Sequence, residues 1–364
     1  MRVVTTAVLC LLCTLIGSAA KPLEIYFVDT EGGQATLIVT PAGESVLIDA
    51  GYGPRQGRGT IPPVAPDRDP NRILAVAKEA GISRINYFVL THFHPDHAGG
   101  VPELARRIPI DTFVDYGMPF GTIYGEDRMA ANTFANYLPV REKGRFILAR
   151  PGDELRLKGV EAHIVSAAGG LIATPLGDGG DTNSACTGLE NHPEDGTENY
   201  RSVGVLFKLG AFRFLDVGDL SGNTLTRLAC PKNLIGRVSV FITPHHGDYD
   251  AAVPALYAAL QPRVVVMNNG AGNNHGGAPD HFRAIRQQTS LEDLWQLHLS
   301  ANEGSENSPD DFLANVDDGR TTGFAIKLTA QDDGSFVVTN QRTGFTKAYP
   351  KKPTPRQPVN FTRR

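Results

Sequence analysis

Residues 91–100 place three histidines and one aspartate within six positions: His92, His94, Asp96 and His97. This stretch follows residues 85–90, an apolar run rich in β-forming side chains that predicts a buried strand. In a turning segment, two histidines two positions apart point to the same side, and Pro95 stiffens the turn that carries the second pair. The sequence therefore predicts two pairs of metal ligands at the end of a strand.

The order HxHxDH is more specific than a lone histidine pair. The chain has 10 histidines in 364 residues, and this order would arise by chance in fewer than about one such chain in a thousand. It resembles the signature of the metallo-β-lactamase-fold hydrolases, which lies at the mouth of a four-layer αββα sandwich. The resemblance implies an α/β fold of that type and a metal-dependent hydrolase.

The amino-terminal part of the chain points to one branch of this family. Residues 24–29, 35–40 and 45–51 predict three strands of a meander separated by short turns. The sequence over 27–51 resembles the opening of the hydrolase domain of the DNA-uptake protein ComEC. The resemblance implies that Asp49 orients the metal site from behind the ligands, although an ordinary turn residue at a strand end would also explain it.

Two later motifs supply further ligands by the same resemblance. Asp219 matches the carboxylate that bridges two metals in the family, and Asp216 is a weaker candidate. Residues 244–247, Pro-His-His-Gly, resemble the corresponding ComEC-type motif. We expect His245 to close the second metal site and His246 to contact substrate or orient its neighbour.

One ligand expected from the family is missing. Many members carry a third histidine for the first metal just before the strand predicted over 203–209, whereas this chain has Asn199 and Ser202, which resemble the Asn-x-x-Ser of the ComEC-like branch. Glu198, Asn199 and His192 are the candidates to replace it. The predicted site is thus asymmetric: the first metal is held by His92 and His94, the second by Asp96, His97 and His245, with Asp219 shared.

Imidazoles and carboxylates without thiolates suit Zn²⁺, as one or two ions, with Mn²⁺ and Fe²⁺ as alternatives. Water held by such a metal loses its proton near neutral pH and becomes a nucleophilic hydroxide. We expect Asp96 and His246 to be the catalytic residues, Asp96 by steering the nucleophile or passing on its proton. The sequence therefore predicts hydrolysis without specifying the bond.

Three functions are compatible with this site. A phosphodiester-type substrate is favoured by the ComEC resemblance, by Arg55 and Arg58 in the loop after Asp49, and by a helix that is predicted to start near Gly99. The alternatives are a lactonase or β-lactamase acting on a cyclic ester or amide, and a metal-binding module without turnover. His275 is a further candidate for the site, whereas His163 is expected to be an ordinary strand residue.

Composition restricts the partners. With a formal net charge of −4, the chain has no global basic field for nucleic acid, although a local groove stays open as an interpretation. We therefore expect a small-molecule or nucleotide-type substrate. The sequence does not indicate an oligomeric state.

Residues 1–20 predict a secretory signal, with Arg2 before an apolar run and small residues at 18–20. An uncleaved membrane anchor is the alternative. No other apolar run approaches the length of about 18 residues that spans a membrane, so we expect a secreted or periplasmic protein without membrane insertion after cleavage. Cys186 and Cys230 are expected either to form one disulfide or to stay as separate thiols.

The predicted strands and the composition of the carboxyl-terminal residues imply the domain organisation. We expect one metallo-hydrolase domain over 21–346, built from two β-rich halves at about 24–165 and 203–340, and a basic, Pro-containing mobile tail over 347–364. The long Gly-rich stretch at 168–200 is expected to form a functional loop or lid, with plain disorder as the alternative.

Overall fold

The computed structural model describes residues 21–54, 64–120, 127–187, 196–271, 276–316 and 323–352. Strands in this part of the chain are β1 (Leu23–Phe27), β2 (Thr36–Val39), β3 (Ser45–Ile48), β4 (Ile85–Val89), β5 (Ile110–Asp115), β6 (Arg145–Leu148), β7 (Glu161–Ala167), β8 (Gly170–Leu171), β9 (Gly204–Leu209), β10 (Phe212–Asp216), β11 (Val240–Ile242), β12 (Val264–Met267), β13 (Asp293–His298), β14 (Leu313–Asn315), β15 (Ile326–Ala330), β16 (Phe336–Asn340) and β17 (Thr346–Tyr349). The helices are α1 (Arg68–Glu79), α2 (Pro95–Ala98), α3 (Val101–Leu104), α4 (Arg128–Arg141), α5 (Gly222–Arg227), α6 (Pro254–Leu260) and α7 (Pro279–Arg286).

These strands form two large sheets. The first has the order β17-β16-β15-β1-β2-β3-β4-β5-β6, and the second has the order β14-β13-β12-β11-β10-β9-β7-β8. The sheets pack face to face through apolar side chains; Phe27 of β1 and Phe214 of β10, for example, meet edge to face with ring centroids 5.6 Å apart. The α/β class and the two-sheet architecture predicted from the sequence are confirmed.

Helices cover the outer face of the second sheet. Val265 and Phe241 point away from the first sheet into a separate apolar cluster with Leu225 of α5, Leu256 of α6 and Phe282 of α7. Alternate residues of a strand face opposite sides, so these strands are apolar on both faces because both faces are covered. The layers thus account for the nearly continuous apolar runs in the sequence.

The division of the chain between the sheets differs from the predicted halves. β7 pairs with β9 and therefore belongs to the second sheet, although residues 161–167 precede the predicted boundary. β15 pairs antiparallel with β1 and returns the carboxyl-terminal hairpin to the first sheet. Each sheet thus takes strands from both parts of the chain, because backbone pairing at a sheet edge depends on proximity and not on sequence order.

The predicted tail starts too early. Residues 346–349 form β17, which pairs with β16, and Tyr349 is fully buried. Its ring stacks on Phe336 with centroids 4.6 Å apart, and its hydroxyl donates a hydrogen bond of 2.6 Å to Asp293. One buried aromatic residue therefore holds this segment in the sheet despite its flanking lysines. The tail beyond residue 352 lies outside the described residues.

The stretch 168–187 is attached to the body of the protein. Cys186 and Cys230 form a disulfide, and the side-chain amide of Asn183 donates to the carbonyls of Ala229 and Ala255. Of the two expectations for the cysteines, the disulfide is therefore the one observed. No helix in the described part of the chain is long and apolar enough to cross a bilayer. The predicted signal at 1–20 lies outside the described residues.

Candidate metal centre

The predicted ligands converge because they follow the carboxyl ends of adjacent strands. Residues 91–97 follow β4, Asp219 follows β10, and the His245–His246 pair follows β11. β10, β11 and β12 run parallel to one another, as do β3 and β4. Parallel strands end at the same edge of a sheet, so loops far apart in sequence meet there.

Among the residues that the structure describes, one group of potential metal ligands has all its ligand atoms within 4.8 Å of one another: Asp96, His97, Asp219 and His246. We call this group the closed site. Nε2 of His97 and Nε2 of His246 are 3.3 Å apart, and they lie 3.1 and 3.2 Å from Oδ2 of Asp219. The same two nitrogens lie 3.5 and 3.4 Å from Oδ2 of Asp96.

These five distances match a tetrahedron of ligands. With zinc bonds of about 2.0–2.1 Å, the ligand atoms of a tetrahedral site lie about 3.3–3.4 Å apart. Oδ1 of Asp219 is buried and has no hydrogen-bond partner, which is costly unless a ligand compensates it. The donor set and its spacing fit a divalent metal ion.

The charges of the closed site also call for a cation. Burial alone would raise the pKa of the Asp219 carboxyl, but His246, His97 and His245 hold it well below its usual range. Burial likewise opposes the charged form of His97, yet Asp219, Asp96 and Asp49 raise its pKa well above the usual range. The histidines thus hold protons that a metal ion would displace, so metal binding is expected to release protons.

His92 and His94 lie beside the closed site, and we call them the open pair. Nε2 of His92 is 3.0 Å from Nδ1 of His94 and 3.7 Å from Oδ2 of Asp219. The His92 side chain is fully buried, whereas that of His94 is 13% exposed. His92 therefore adjoins the shared carboxylate, and His94 reaches solvent.

Carboxylates behind the ligands fix two imidazole rings. Nδ1 of His97 lies 2.7 Å from Oδ2 of Asp49. The Thr91 hydroxyl donates to the same oxygen, and the Thr91 backbone N–H donates to Oδ1. Nε2 of His94 lies 2.7 Å from Oδ2 of Asp127. Such partners set the tautomer of a histidine and leave its other nitrogen free for a metal. Asp49 thus stands where the family resemblance implies it.

The structure reverses the roles predicted for the adjacent histidines. His246 is in the closed site, whereas Nε2 of His245 lies 3.8 Å from Oδ2 of Asp219 and outside the compact group. Both residues have left-handed backbones, with φ of 46° and 55°. The His246 carbonyl accepts from the backbone of Gly277, and a side chain at Gly276 would collide with it. This loop conformation, which the sequence does not reveal, decides which ring faces the closed site.

The residues proposed to replace the missing third histidine have different surroundings. Asn199 is at the site, with its side-chain nitrogen 3.2 Å from Nε2 of His245 and its Oδ1 buried without a partner. Glu198 instead accepts hydrogen bonds from the Tyr116 hydroxyl and the Phe120 backbone. His192 lies outside the described residues. Asn199 is therefore the only one of the three that the described structure places beside the ligands.

Other predicted residues lie elsewhere. Asp216 accepts hydrogen bonds from Gln34 and the Gly218 backbone and is not in the closed site. His163 lies on β7 beside Glu154 and Glu161, in keeping with a strand residue. Helix α3 is only one turn long, so it does not have the strong dipole expected of a helix starting near Gly99. Arg55, Arg58 and His275 lie outside the described residues.

Several supporting residues escaped the sequence analysis. Asp127 is 35 residues from His92, and its only local signal is a cap at the start of α4, where it accepts from the Ala130 backbone. Asn268, after β12, places its amide nitrogen 3.1 Å from Nδ1 of His246. Asp250 places Oδ1 2.6 Å from Nδ1 of His245. A polar residue just after a predicted parallel strand was the available signal for Asn268.

The region that contains Asp49 and the HxHxDH motif is similar to a known superfamily. Residues 28–181 match the metallo-beta-lactamase superfamily. The match covers 154 of the 364 residues and concerns this region of the chain. Comparison with curated proteins finds none that matches the chain.

Several solved structures resemble the chain at low sequence identity. The metallo-beta-lactamase fold protein YhfI from Bacillus subtilis is 9% identical, with 84% of this chain and 99% of that chain covered and a TM-score of 0.43. The diiron β-hydroxylase CmlA from Streptomyces venezuelae is 13% identical, with 74% and 50% covered and a TM-score of 0.38. A diphosphatase of the PhnP family is 11% identical, with 74% and 93% covered and a TM-score of 0.37. At these values the likenesses carry no inference about substrate.

Proposed function

We propose that this chain is an exported metal-dependent hydrolase of the ComEC-like branch, acting on a phosphodiester-type substrate. The observation that carries the proposal is the closed site, in which four ligand atoms from three separate loops are spaced as a tetrahedral metal requires. Such a site supports a hydrolase more directly than the fold does, because one fold hosts many chemistries.

The residues of the closed site have distinct tasks in this proposal. A bound divalent cation would lower the pKa of a water molecule and polarise the phosphoryl oxygen. Asp219 and Asp96 balance the charge of the cation, and Asp49 keeps His97 in the tautomer that binds it. The Asp96 side chain is 20% exposed, the largest value in the closed site, so it is the carboxylate placed to accept a proton from attacking water.

The choice of a phosphodiester rests on the ComEC resemblance and on one cation in the turn that contains Asn199. Arg201 follows Asn199 in the same turn, and its guanidinium lies over the ring of Phe120 at 4.1 Å and donates to the Tyr200 hydroxyl. It has no carboxylate partner among the described residues. Arginine is well suited to phosphate oxygens because its donors form a fixed fork.

The proposal of export rests on the amino-terminal residues and on the disulfide. The pattern of residues 1–20 is that of a secretory signal. The Cys186–Cys230 disulfide favours an oxidising compartment, since cytosolic proteins keep most thiols reduced.

Chelation of the purified protein tests the function. We expect cleavage of a generic nitrophenyl phosphodiester, loss of that activity after chelation, and its recovery on adding Zn²⁺ or Mn²⁺. His94→Ala should abolish turnover while the circular dichroism spectrum stays unchanged. His163→Ala is the matched control and should keep full activity, because the ion-pair partners of His163 in the described residues are Glu154 and Glu161 on a strand face.

Other outcomes would select the alternatives. Turnover of a lactone or β-lactam without phosphodiester cleavage would replace the proposal with a cyclic ester or amide hydrolase. Binding of metal without cleavage across a broad panel would favour a non-catalytic module. An active His94→Ala variant would refute the assignment of the open pair.

A further inference from the structure

The open pair has a geometry that neutral histidines do not tolerate. Nδ1 of His92 lies 3.1 Å from the Thr91 hydroxyl oxygen, and that hydroxyl donates its own proton to Asp49. His92 must therefore donate through Nδ1, as His94 does through Nε2 to Asp127. Nε2 of His92 and Nδ1 of His94 are left with lone pairs facing each other at 3.0 Å. Facing lone pairs repel, so the arrangement needs either a proton shared between the two rings or a metal ion bound to both nitrogens.

The Asp219 carboxylate points one oxygen at both sites. Oδ2 lies 3.1 and 3.2 Å from the imidazole nitrogens of the closed site, and 3.7 and 3.8 Å from Nε2 of His92 and Nε2 of His245 on the other side. Ligand atoms of a tetrahedral metal lie about 3.3–3.4 Å apart. One oxygen thus adjoins four imidazole nitrogens, two for each of two cations.

His245 is held as a metal ligand would be. Its Nδ1 lies 2.6 Å from Oδ1 of Asp250, which fixes the tautomer and leaves Nε2 facing Asp219. Its backbone is fixed as well, since its N–H donates to Gly218 and its carbonyl accepts from Asp248. Beside Nε2 lies Asn199, whose Oδ1 is buried without a partner. The amide nitrogen is the atom that faces Nε2 at 3.2 Å, so turning the amide by 180° would bring the oxygen to a hard divalent ion held there.

We propose that His245 completes a second metal site with His92 and His94, with Asp219 as the ligand shared with the closed site. His245 thereby replaces the third histidine that is missing near residue 199, although it comes from a different loop. We call His92, His94, His245 and the shared Asp219 the open site. This inference deepens the proposed function, on whose metal dependence it rests.

Metal content of matched variants tests the open site. The chelated full-length protein is loaded with Zn²⁺ or Mn²⁺, dialysed, and measured by elemental analysis and by calorimetric titration. His245→Asn and His246→Asn form the matched pair, because both positions have left-handed backbones that asparagine adopts readily. His163→Asn is the control, and circular dichroism checks folding.

We expect the wild type and His163→Asn to bind about two ions per chain, and each single variant of the pair to bind about one. The double variant should bind none. Asp250→Asn, which leaves every ligand in place, should weaken one of the two binding steps by about 10- to 100-fold.

Other results overturn the inference in distinguishable ways. A wild type that binds a single ion and cleaves substrate leaves the proposed hydrolase standing without the open site. Two ions in His245→Asn, at wild-type affinity, would show that His245 is not a ligand, and so would loss of both ions from that variant. If the wild type bound no metal, both the inference and the proposed function would be wrong.

Discussion

The closed and open sites share one carboxylate oxygen but differ in how they are enclosed. In the closed site, the His97 and His246 side chains are 0% and 5% exposed, and five ligand spacings lie between 3.1 and 3.5 Å. In the open site, the His94 and His245 side chains are 13% and 22% exposed, and Nε2 of His92 and Nε2 of His245 lie 3.7 and 3.8 Å from the shared oxygen. Because His92 is fully buried and Asp96 is 20% exposed, the contrast in access to solvent applies to the imidazoles of His94 and His245.

The supports of the two sites differ in the same way. Asp49, behind His97, is fully buried and receives two further hydrogen bonds from Thr91. Asp127 and Asp250, behind His94 and His245, have side chains that are 12% and 48% exposed. A buried carboxylate with several donors is held rigidly, whereas an exposed one can follow a ligand ring as it moves. Both sites nevertheless use the same oxygen, Oδ2 of Asp219.

Asp219→Asn should have the largest effect, because it removes the anionic oxygen that both sites use. We expect loss of metal from both and a fall in kcat/KM of at least about a thousandfold, or about 4 kcal/mol. Elemental analysis and steady-state kinetics on a phosphodiester measure the two effects. Asp216→Asn, three residues earlier and outside the closed site, should keep its metal. If Asp219→Asn kept its metal, the shared role that we assign to Asp219 in the closed and open sites would be wrong.

His281→Gln tests the loop on which both sites depend. His281 donates through Nδ1 to the Asp248 carbonyl and receives the Tyr257 hydroxyl at Nε2, and burial lowers its pKa to about 4. Below the usual pKa of 6.5, the unfolded chain binds a proton that the folded protein excludes, so stability falls as the pH falls towards 4. The loss is about 3 kcal/mol for this residue.

Denaturant unfolding at pH 7 and pH 4.5 measures that difference. Glutamine donates and accepts in the same directions but does not titrate, so the variant should lose less stability than the wild type over this range. Equal losses in the two proteins would contradict a neutral, buried His281. A change in metal content at pH 7 would show that the loop needs the imidazole itself.

The supporting carboxylates give the smallest effects and contrast the two sites directly. We expect Asp49→Asn and Asp127→Asn each to lower metal affinity by about 10- to 100-fold, because the amide presents the wrong group to His97 or His94. Only Asp49→Asn should also lower the free energy of unfolding, since Asp49 is fully buried. Asparagine still caps α4, so Asp127→Asn should unfold like the wild type. Calorimetric titration and denaturant unfolding separate these outcomes.

The sequence was informative where ligands are close together along the chain. The HxHxDH motif fixed the identity of four ligand candidates, and alternation and turn residues located most strands within a few residues of their observed bounds. β13 was missed because its glutamine and histidine interrupt the apolar pattern. Asp127 was missed because a single aspartate before a helix signals a cap and nothing about the imidazole it contacts.

By itself, therefore, the sequence determined the fold class, the chemistry of the ligands and the absence of a histidine near residue 199. Only the tertiary structure decided which of two adjacent histidines, His245 or His246, joins Asp96 and His97. The physical reason is that neighbouring residues in a left-handed turn point in different directions, and packing against Gly276 and Gly277 fixes that turn. The same packing places His245 beside Asn199, where the missing ligand would have been.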